Sequence, residues 1–214
     1  MENTNFLKIY SGYNNLISLN VAPGHFATSS SHINYYIDMT TLKCRSNESR
    51  AVAKAMVQDY MSATVIDTIV CMDGTEIIGA YLAEELSNAG IMSANSHQTI
   101  YVVTPEQTTA GQLIFKDNYM PMIKGKNVLL LLATASTGKT VKTALECIEY
   151  YGGKIAGISS IFSAAKNIYS KEINTIFQSK DLVDYGTYSA SECPMCKAGI
   201  PINALVNSHG YSKL

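Results

Sequence analysis

Ser136, Thr137, Gly138, Lys139 and Thr140 set three hydroxyls, a glycine and a lysine directly behind the apolar run 128–133. Glycine permits tight backbone geometry, so that successive amides can point at one anion. A helix starting near Thr140 adds the positive end of its dipole at the same place. Thr137 and Thr140 add hydroxyl donors and Lys139 a full charge, so a phosphate monoester is the natural guest. The plain alternative is a strand-to-helix turn with a Ser/Thr cap. A second chemistry is offered by Cys193 and Cys196, a C-x-x-C pair. Two thiolates are half of a structural zinc set. Cys44, His209 or a partner chain would have to complete it; otherwise the pair is two free thiols, and no metal site is assigned. The four histidines, His25, His32, His97 and His209, are scattered and read as surface or hydrogen-bonded residues rather than general bases.

The elements around the 136–140 loop follow an α/β rhythm. Residues 51–62 show helical spacing, with Ser46 and Asn47 as capping candidates, and residues 65–71 form a β-rich run. Residues 77–87 repeat the helical pattern, and Asn88-Ala89-Gly90 stops it. Strands follow at 100–103, 128–132 and 155–162, with a further one at 175–177; a helix over 141–151 ends at Gly152-Gly153. The stretch 128–132 does not alternate, which requires cover on both faces of a parallel sheet. The predicted class is thus α/β, a mostly parallel twisted sheet flanked by helices in a single domain over 1–214. Segments of about 1–45 and 179–214 break the rhythm, the latter mostly loop-like, and together they form a small cap. Ligands of such sheets bind beyond the carboxyl ends of the strands. That points to the loops at 72–76, 104–117 and 133–140.

Composition narrows the classes. Of 214 residues, 47% are hydrophobic and 15% charged, with a net charge of -1. Average globular chains carry about 25% charged residues, and disorder needs the opposite balance of low hydrophobicity and high charge. No basic excess invites nucleic acid. The longest apolar run, 128–133, falls far short of the roughly 20 residues of a membrane span. Residues 1–10 lack the charged start and apolar block of a secretory signal, so a cytoplasmic protein is expected. The five cysteines suit neither a small disulfide scaffold nor secretion, and Cys71 and Cys147 read as small buried hydrophobes.

Residues 133–140 spell A-x-x-x-x-G-K-T, close to the P-loop of nucleotide hydrolases, with Ala133 in place of the first glycine. The strand 155–162 holds no Asp for a magnesium-binding partner motif. A second resemblance covers more of the chain. Ser136-Thr137-Gly138-Lys139-Thr140 resembles the T-T-G-G-T-like phosphate loop of type I phosphoribosyltransferases. The stretch 24–36, GHFATSSSHINYY, resembles the N-terminal F-x-L-x-S-G…S-x-Y stretch of the orotate members. Residues 193–201, CPMCKAGIP, resemble a C-P-x-C-x-x-G-x-P tail found in some of them. The order of helices and strands agrees as well.

This resemblance implies a phosphoribosyl or nucleotide ligand, transfer of ribose 5-phosphate from phosphoribosyl pyrophosphate (PRPP) to a pyrimidine base such as orotate, Mg2+ as cofactor, and a homodimer. It puts the phosphate on Ser136–Thr140 and substrate near Asp73, Thr75, Glu76 and Ala133. Asp73 and Glu76 would reach ribose or magnesium; their plain alternative is to favour the start of the following helix. Departures are equally specific. Counting back from Thr140, the family's acid pair falls on Leu132 and Ala133. The stretch 104–110, where the family carries basic residues on a mobile loop, holds none, and the lysine expected near Ser29 is missing. Two alternatives of different class follow: a non-catalytic phosphoribosyl- or nucleotide-binding regulator, and a P-loop hydrolase.

Overall fold

The unbroken apolar run at 128–132 lies in the middle of a sheet covered on both faces, in a computed structural model that describes residues 6–62, 64–88, 94–96 and 99–214. Ala89, Gly90 and His97 lie outside the described residues, as do residues 1–5 of the amino-terminal stretch.

In chain order, β1 (Leu7–Tyr10), β2 (Ser18–Ala27) and β3 (His32–Asp38) form an antiparallel ribbon, followed by α1 (Thr40–Cys44) and α2 (Ser46–Met56). Next come β4 (Thr68–Cys71), α3 (Glu76–Asn88), β5 (Tyr101–Val103), the two-residue strands β6 (Glu106–Gln107) and β7 (Leu113–Ile114), and α4 (Met120–Ile123). The phosphate-loop candidate stands between β8 (Asn127–Ala135) and α5 (Lys139–Tyr150). The chain continues through β9 (Lys154–Ser163), the short hairpin of β10 (Asn167–Ile168) and β11 (Lys171–Glu172), and β12 (Asn174–Gln178). It closes with β13 (Thr187–Tyr188), α6 (Pro194–Lys197), β14 (Ala204–Asn207) and β15 (Gly210–Lys213).

The central sheet has the order β12-β9-β8-β4-β5, every neighbouring pair parallel. The pleat sends successive side chains of β8 to opposite faces. Leu129, Leu131 and Ala133 pack with Val52 and Met56 of α2 and Ile78 and Leu82 of α3. Val128, Leu130 and Leu132 pack with Val141, Leu145 and Ile148 of α5 and Ile123 of α4. Both faces are apolar because helices cover both, and Leu129 to Leu132 are fully buried. Each such leucine removes about 1.5–3 kcal/mol worth of apolar surface from water. Cys71 and Cys147 are buried among these hydrophobes, as read from the sequence.

Both ends of the chain build the cap, a sheet of order β13-β3-β2-β14-β15 with β1 also on β2. The carboxyl-terminal segment is therefore less loop-like than its sequence suggests. Strand β14 joins β2 in parallel and turns at residues 207–210 into β15. Its alternation covers only four residues, Ala204 and Val206 buried and Leu205 and Asn207 exposed, too few to register as a pattern. Three other expectations shift. The helix at 51–62 starts earlier, at Ser46, and ends at Met56 in a 3-10 turn over Val57–Asp59. Ser46 and Asn47 lie inside it: Arg45 takes the cap position without a side-chain cap bond and pairs instead with Glu48 at 2.7 Å. The strand predicted at 65–71 is paired only from Thr68.

Candidate phosphate-binding cleft

A cleft of about 840 Å³ opens beyond the carboxyl ends of β4 and β8, between the central sheet and the cap. Its floor is the 133–140 loop, and its borders come from residues 28–31, 36–40, 72–73, 107–113 and 206–210. Ser136, Thr137, Gly138, Lys139 and Thr140 all line it, as the sequence predicts.

Gly138 is the turning point. It stands at the N-cap of α5 with φ 76°, in the left-handed region that favours glycine, and no side chain caps the helix. The first amides of α5 have no intrahelical acceptors and face the loop. A Ser/Thr cap, the plain reading, is therefore not what is built here. The first turn of α5 also holds no acid, whereas the first turns of α2 and α3 hold Glu48 and Glu76. Instead Lys139 sits exposed at the positive end of the dipole, an unfavourable position until an anion arrives.

Asp73 faces this floor from the end of β4. Asp73 and Gly74 both take positive φ, 59° and 78°, in a tight turn closed by Thr75 N–H donating to Met72 O at 3.3 Å. That turn swings the Asp73 carboxylate towards β8 where β4 has ended, and there the backbone amides of Ala133 and Thr134 favour its charged form. Burial nevertheless raises its pKa above the ordinary value; Lys43, those two amides and His209 pull the other way. Lys43 Nζ donates to Asp73 O and to Ser208 O, each at 2.8 Å, tying α1 to both rims of the cleft. Among the described residues, Lys43 and Lys139 are the lysines that line it. Tyr36, also on the wall, has its hydroxyl pushed up to about 12 by burial, Asp38 and Tyr211, and so remains a donor.

Two of the residues assigned to substrate from the sequence are placed elsewhere. Thr75 is fully buried, its hydroxyl donating to Met72 O at 2.8 Å and Leu131 O at 3.3 Å, so its side chain does not face the cleft. Glu76 opens α3 and accepts from Thr104 Oγ1 at 3.0 Å, outside the cleft lining. The positions of the absent acid pair split by the pleat. Ala133 lines the cleft, but Leu132 points to the α5 face and is fully buried. Of the two positions that correspond to the family's acid pair, one faces the cleft. Within residues 104–117, Gln107, Ala110, Gly111 and Leu113 reach the cleft, and Lys116 is spent on Glu106 at 3.0 Å.

Magnesium wants near-octahedral oxygen and is usually held by one or two carboxylates plus substrate phosphates. Among the described residues, the carboxylates lining the cleft are Asp38 and Asp73. Asp38 accepts from Thr40 N and Oγ1 at 2.9 and 2.6 Å, and Asp73 stands beside Lys43 and the amides of Ala133 and Thr134. This donor set does not make a Mg2+ site held by the protein.

Lys43, Asp38, Tyr36 and His209 were not legible as site residues. Lys43 and Asp38 fall in a segment with no recognisable period, and the turn that carries His209 is brought in by strand β14. Cys193 and Cys196 stand outside the cleft, beside His25 and His32 rather than Cys44 or His209.

No family model matches the chain. It is 25% identical over 187 residues to the orotate phosphoribosyltransferase of Caldanaerobacter subterraneus subsp. tengcongensis, covering 84% of this chain and 86% of that one. The orotate phosphoribosyltransferase of Chlorobaculum parvum is 21% identical over 185 residues, 85% and 86% of the two chains. Among solved structures, the chain superposes on Leishmania donovani UMP synthase with a TM-score of 0.55 at 18% identity, covering 84% of this chain and 36% of that one. Adenine phosphoribosyltransferase from Thermoanaerobacter pseudethanolicus gives 0.51 at 14%, covering 81% and 95%. The central parallel sheet and the helices that flank it are thus those of the type I phosphoribosyltransferase fold.

Proposed function

We propose, from the premise that this is an orotate phosphoribosyltransferase-like chain on the type I fold, that it binds a ligand carrying ribose 5-phosphate and transfers that group from PRPP to a pyrimidine base of the orotate kind. The observation that carries the reading is the floor of the cleft: an uncapped helix start behind a left-handed Gly138, ringed by Thr137, Thr140 and Lys139. The 5-phosphate would accept from those amides and hydroxyls, each bond to a charged group contributing about 1.5–3 kcal/mol. Ribose hydroxyls would then point towards Ala133, where Asp73, coming from a different strand, supplies an acceptor. Lys43 lies where it can offer its remaining N–H to the pyrophosphate as charge develops on it. In the transfer, the bond from ribose C1 to the pyrophosphate oxygen breaks and one to a base nitrogen forms. Mg2+, where it takes part, would come with the ligand's own phosphates. Pairing of two copies, implied by the resemblance, belongs to the same reading and is checked by sedimentation.

A second reading, ligand binding without turnover, is favoured by Leu132 and Ala133. Two lost hydrogen bonds to ribose would cost about 3–6 kcal/mol, around 10²–10⁴ in rate. Pyrophosphate release from PRPP with and without orotate separates the two. Orotate-dependent release supports transfer; tight PRPP binding with no release supports a regulator. Preference for ATP over PRPP, with binding that collapses in Lys139→Ala, would sink both in favour of a P-loop protein.

A further inference from the structure

We propose that His25, His32, Cys193 and Cys196 together hold one zinc ion, closing the cap of the fold with a metal. Their four ligand atoms lie within 4.8 Å of one another. His25 Nε2 stands 2.9 Å from His32 Nδ1 and 3.6 Å from each sulfur, and Cys196 Sγ is 3.3 Å from His32 Nδ1. A tetrahedral zinc with bonds of about 2.05 Å to nitrogen and 2.3 Å to sulfur requires edges of about 3.3 Å for N–N and 3.6 Å for N–S. These four separations need adjustments of only a few tenths of an ångström to become edges of a coordination shell, and the two remaining ones lie within 4.8 Å.

Two further observations point to a metal rather than to four unrelated side chains. His25 is almost fully buried, and its Nδ1 stands 2.8 Å from the carbonyl of Ile200. A carbonyl only accepts, so Nδ1 carries the proton and Nε2 presents its lone pair to the cluster, the arrangement that orients metal-bound imidazoles. The set is also closed: two thiolates and two imidazoles fill a tetrahedron and leave no open position, which is the composition of a structural site. Soft sulfur with imidazole selects zinc over magnesium or calcium.

The ligands come from opposite ends of the chain. His25 belongs to β2 and His32 opens β3, while the cysteines flank and enter α6. Beside them His25 and Asn203 exchange bonds at 2.7 Å, leading into β14. The turn at 28–31 and the segment 206–210 each border the cleft, so the metal fixes both rims without touching a ligand there. Since binding replaces two thiol protons and builds a site the unfolded chain lacks, its free energy is folding free energy.

The test is metal content and thermal midpoint of the untagged protein purified under reducing conditions from zinc-replete cells. The expected result is one zinc per chain, with strong sulfur-to-metal charge-transfer absorption after exchange to Co2+. Cys196 is exposed and His32 half-buried, so Cys196→Ser and His32→Gln should fold and carry less than about a tenth of the metal. Cys44→Ser should keep all of it. A chelator should lower the midpoint of the wild type and leave that of Cys196→Ser unmoved. A folded, zinc-free protein without thiolate–cobalt absorption, zinc retained in both ligand variants, or a Cys193–Cys196 disulfide in the reduced preparation would overturn the proposal.

Discussion

Replacing Gly138 by alanine tests the loop through two separable costs. A Cβ there would stand 2.6 Å from Ile168 Cγ2, a buried side chain on the α5 face, and the backbone would be held at φ 76°. The left-handed conformation costs a non-glycine residue about 1–2 kcal/mol. Forcing a methyl into a filled space adds about 1–3 kcal/mol. Gly111 supplies the control: it also lines the cleft, at φ 82°, but a Cβ there meets nothing within 4 Å. Only the first cost applies to Gly111→Ala. With about 2–4 °C of midpoint per kcal/mol in a chain of this length, Gly138→Ala should lose about 4–20 °C and Gly111→Ala about 2–8 °C. The same change turns the first amides of α5 away from the anion, so phosphate affinity should fall about ten- to a hundredfold for each amide bond lost. Thermal unfolding by circular dichroism and titration with ribose 5-phosphate read the two effects. A Gly138→Ala protein that melts with Gly111→Ala and binds ribose 5-phosphate like the wild type would refute the placement of the phosphate.

Restoring an acid should work at one position of the former pair and fail at the other. Ala133→Asp puts a carboxylate into the cleft beside Asp73 and should raise PRPP affinity or turnover about tenfold per regained hydrogen bond. Leu132→Asp buries a charge under α5 and should destabilise by about 3–5 kcal/mol, read in urea unfolding. Asp73→Asn should raise stability at neutral pH while lowering PRPP affinity, a split that a purely structural residue would not give. The sign follows from burial: the folded-state pKa lies above the unfolded value, so ionised Asp73 costs stability above that folded pKa. The cost is relieved as pH falls through it, and midpoints measured against pH should show the wild type gaining on Asp73→Asn there. Lys139→Ala should weaken ribose 5-phosphate binding less than about sixfold, because an exposed charge at a helix end contributes about 0.3–1 kcal/mol; near-complete loss would favour a P-loop.

The sequence makes the central sheet legible where period and composition coincide. Residues 128–132 announce a doubly covered strand, and Val141, Ala144, Leu145 and Ile148 announce the face of α5 that covers it. The phosphate loop is legible for the same reason, since glycine, hydroxyls and a lysine between strand and helix are local signals. What escapes is long-range. Lys43 enters the cleft only because α1 packs beside the turn at Asp73, and His209 only because β14 pairs with β2. The histidine pair and the cysteine pair of the zinc site are more than 160 residues apart, so the C-x-x-C pair alone points at no partner. Thr75 misleads because a buried hydroxyl spent on carbonyls looks in sequence like one offered to substrate.

Calorimetric titration of the folded protein with PRPP tests most directly whether the loop at 136–140 receives the phosphate of a phosphoribosyl ligand. The expected result is micromolar binding that Gly138→Ala abolishes or weakens at least tenfold. No heat from the wild type, or equal heat from Gly138→Ala, would contradict it.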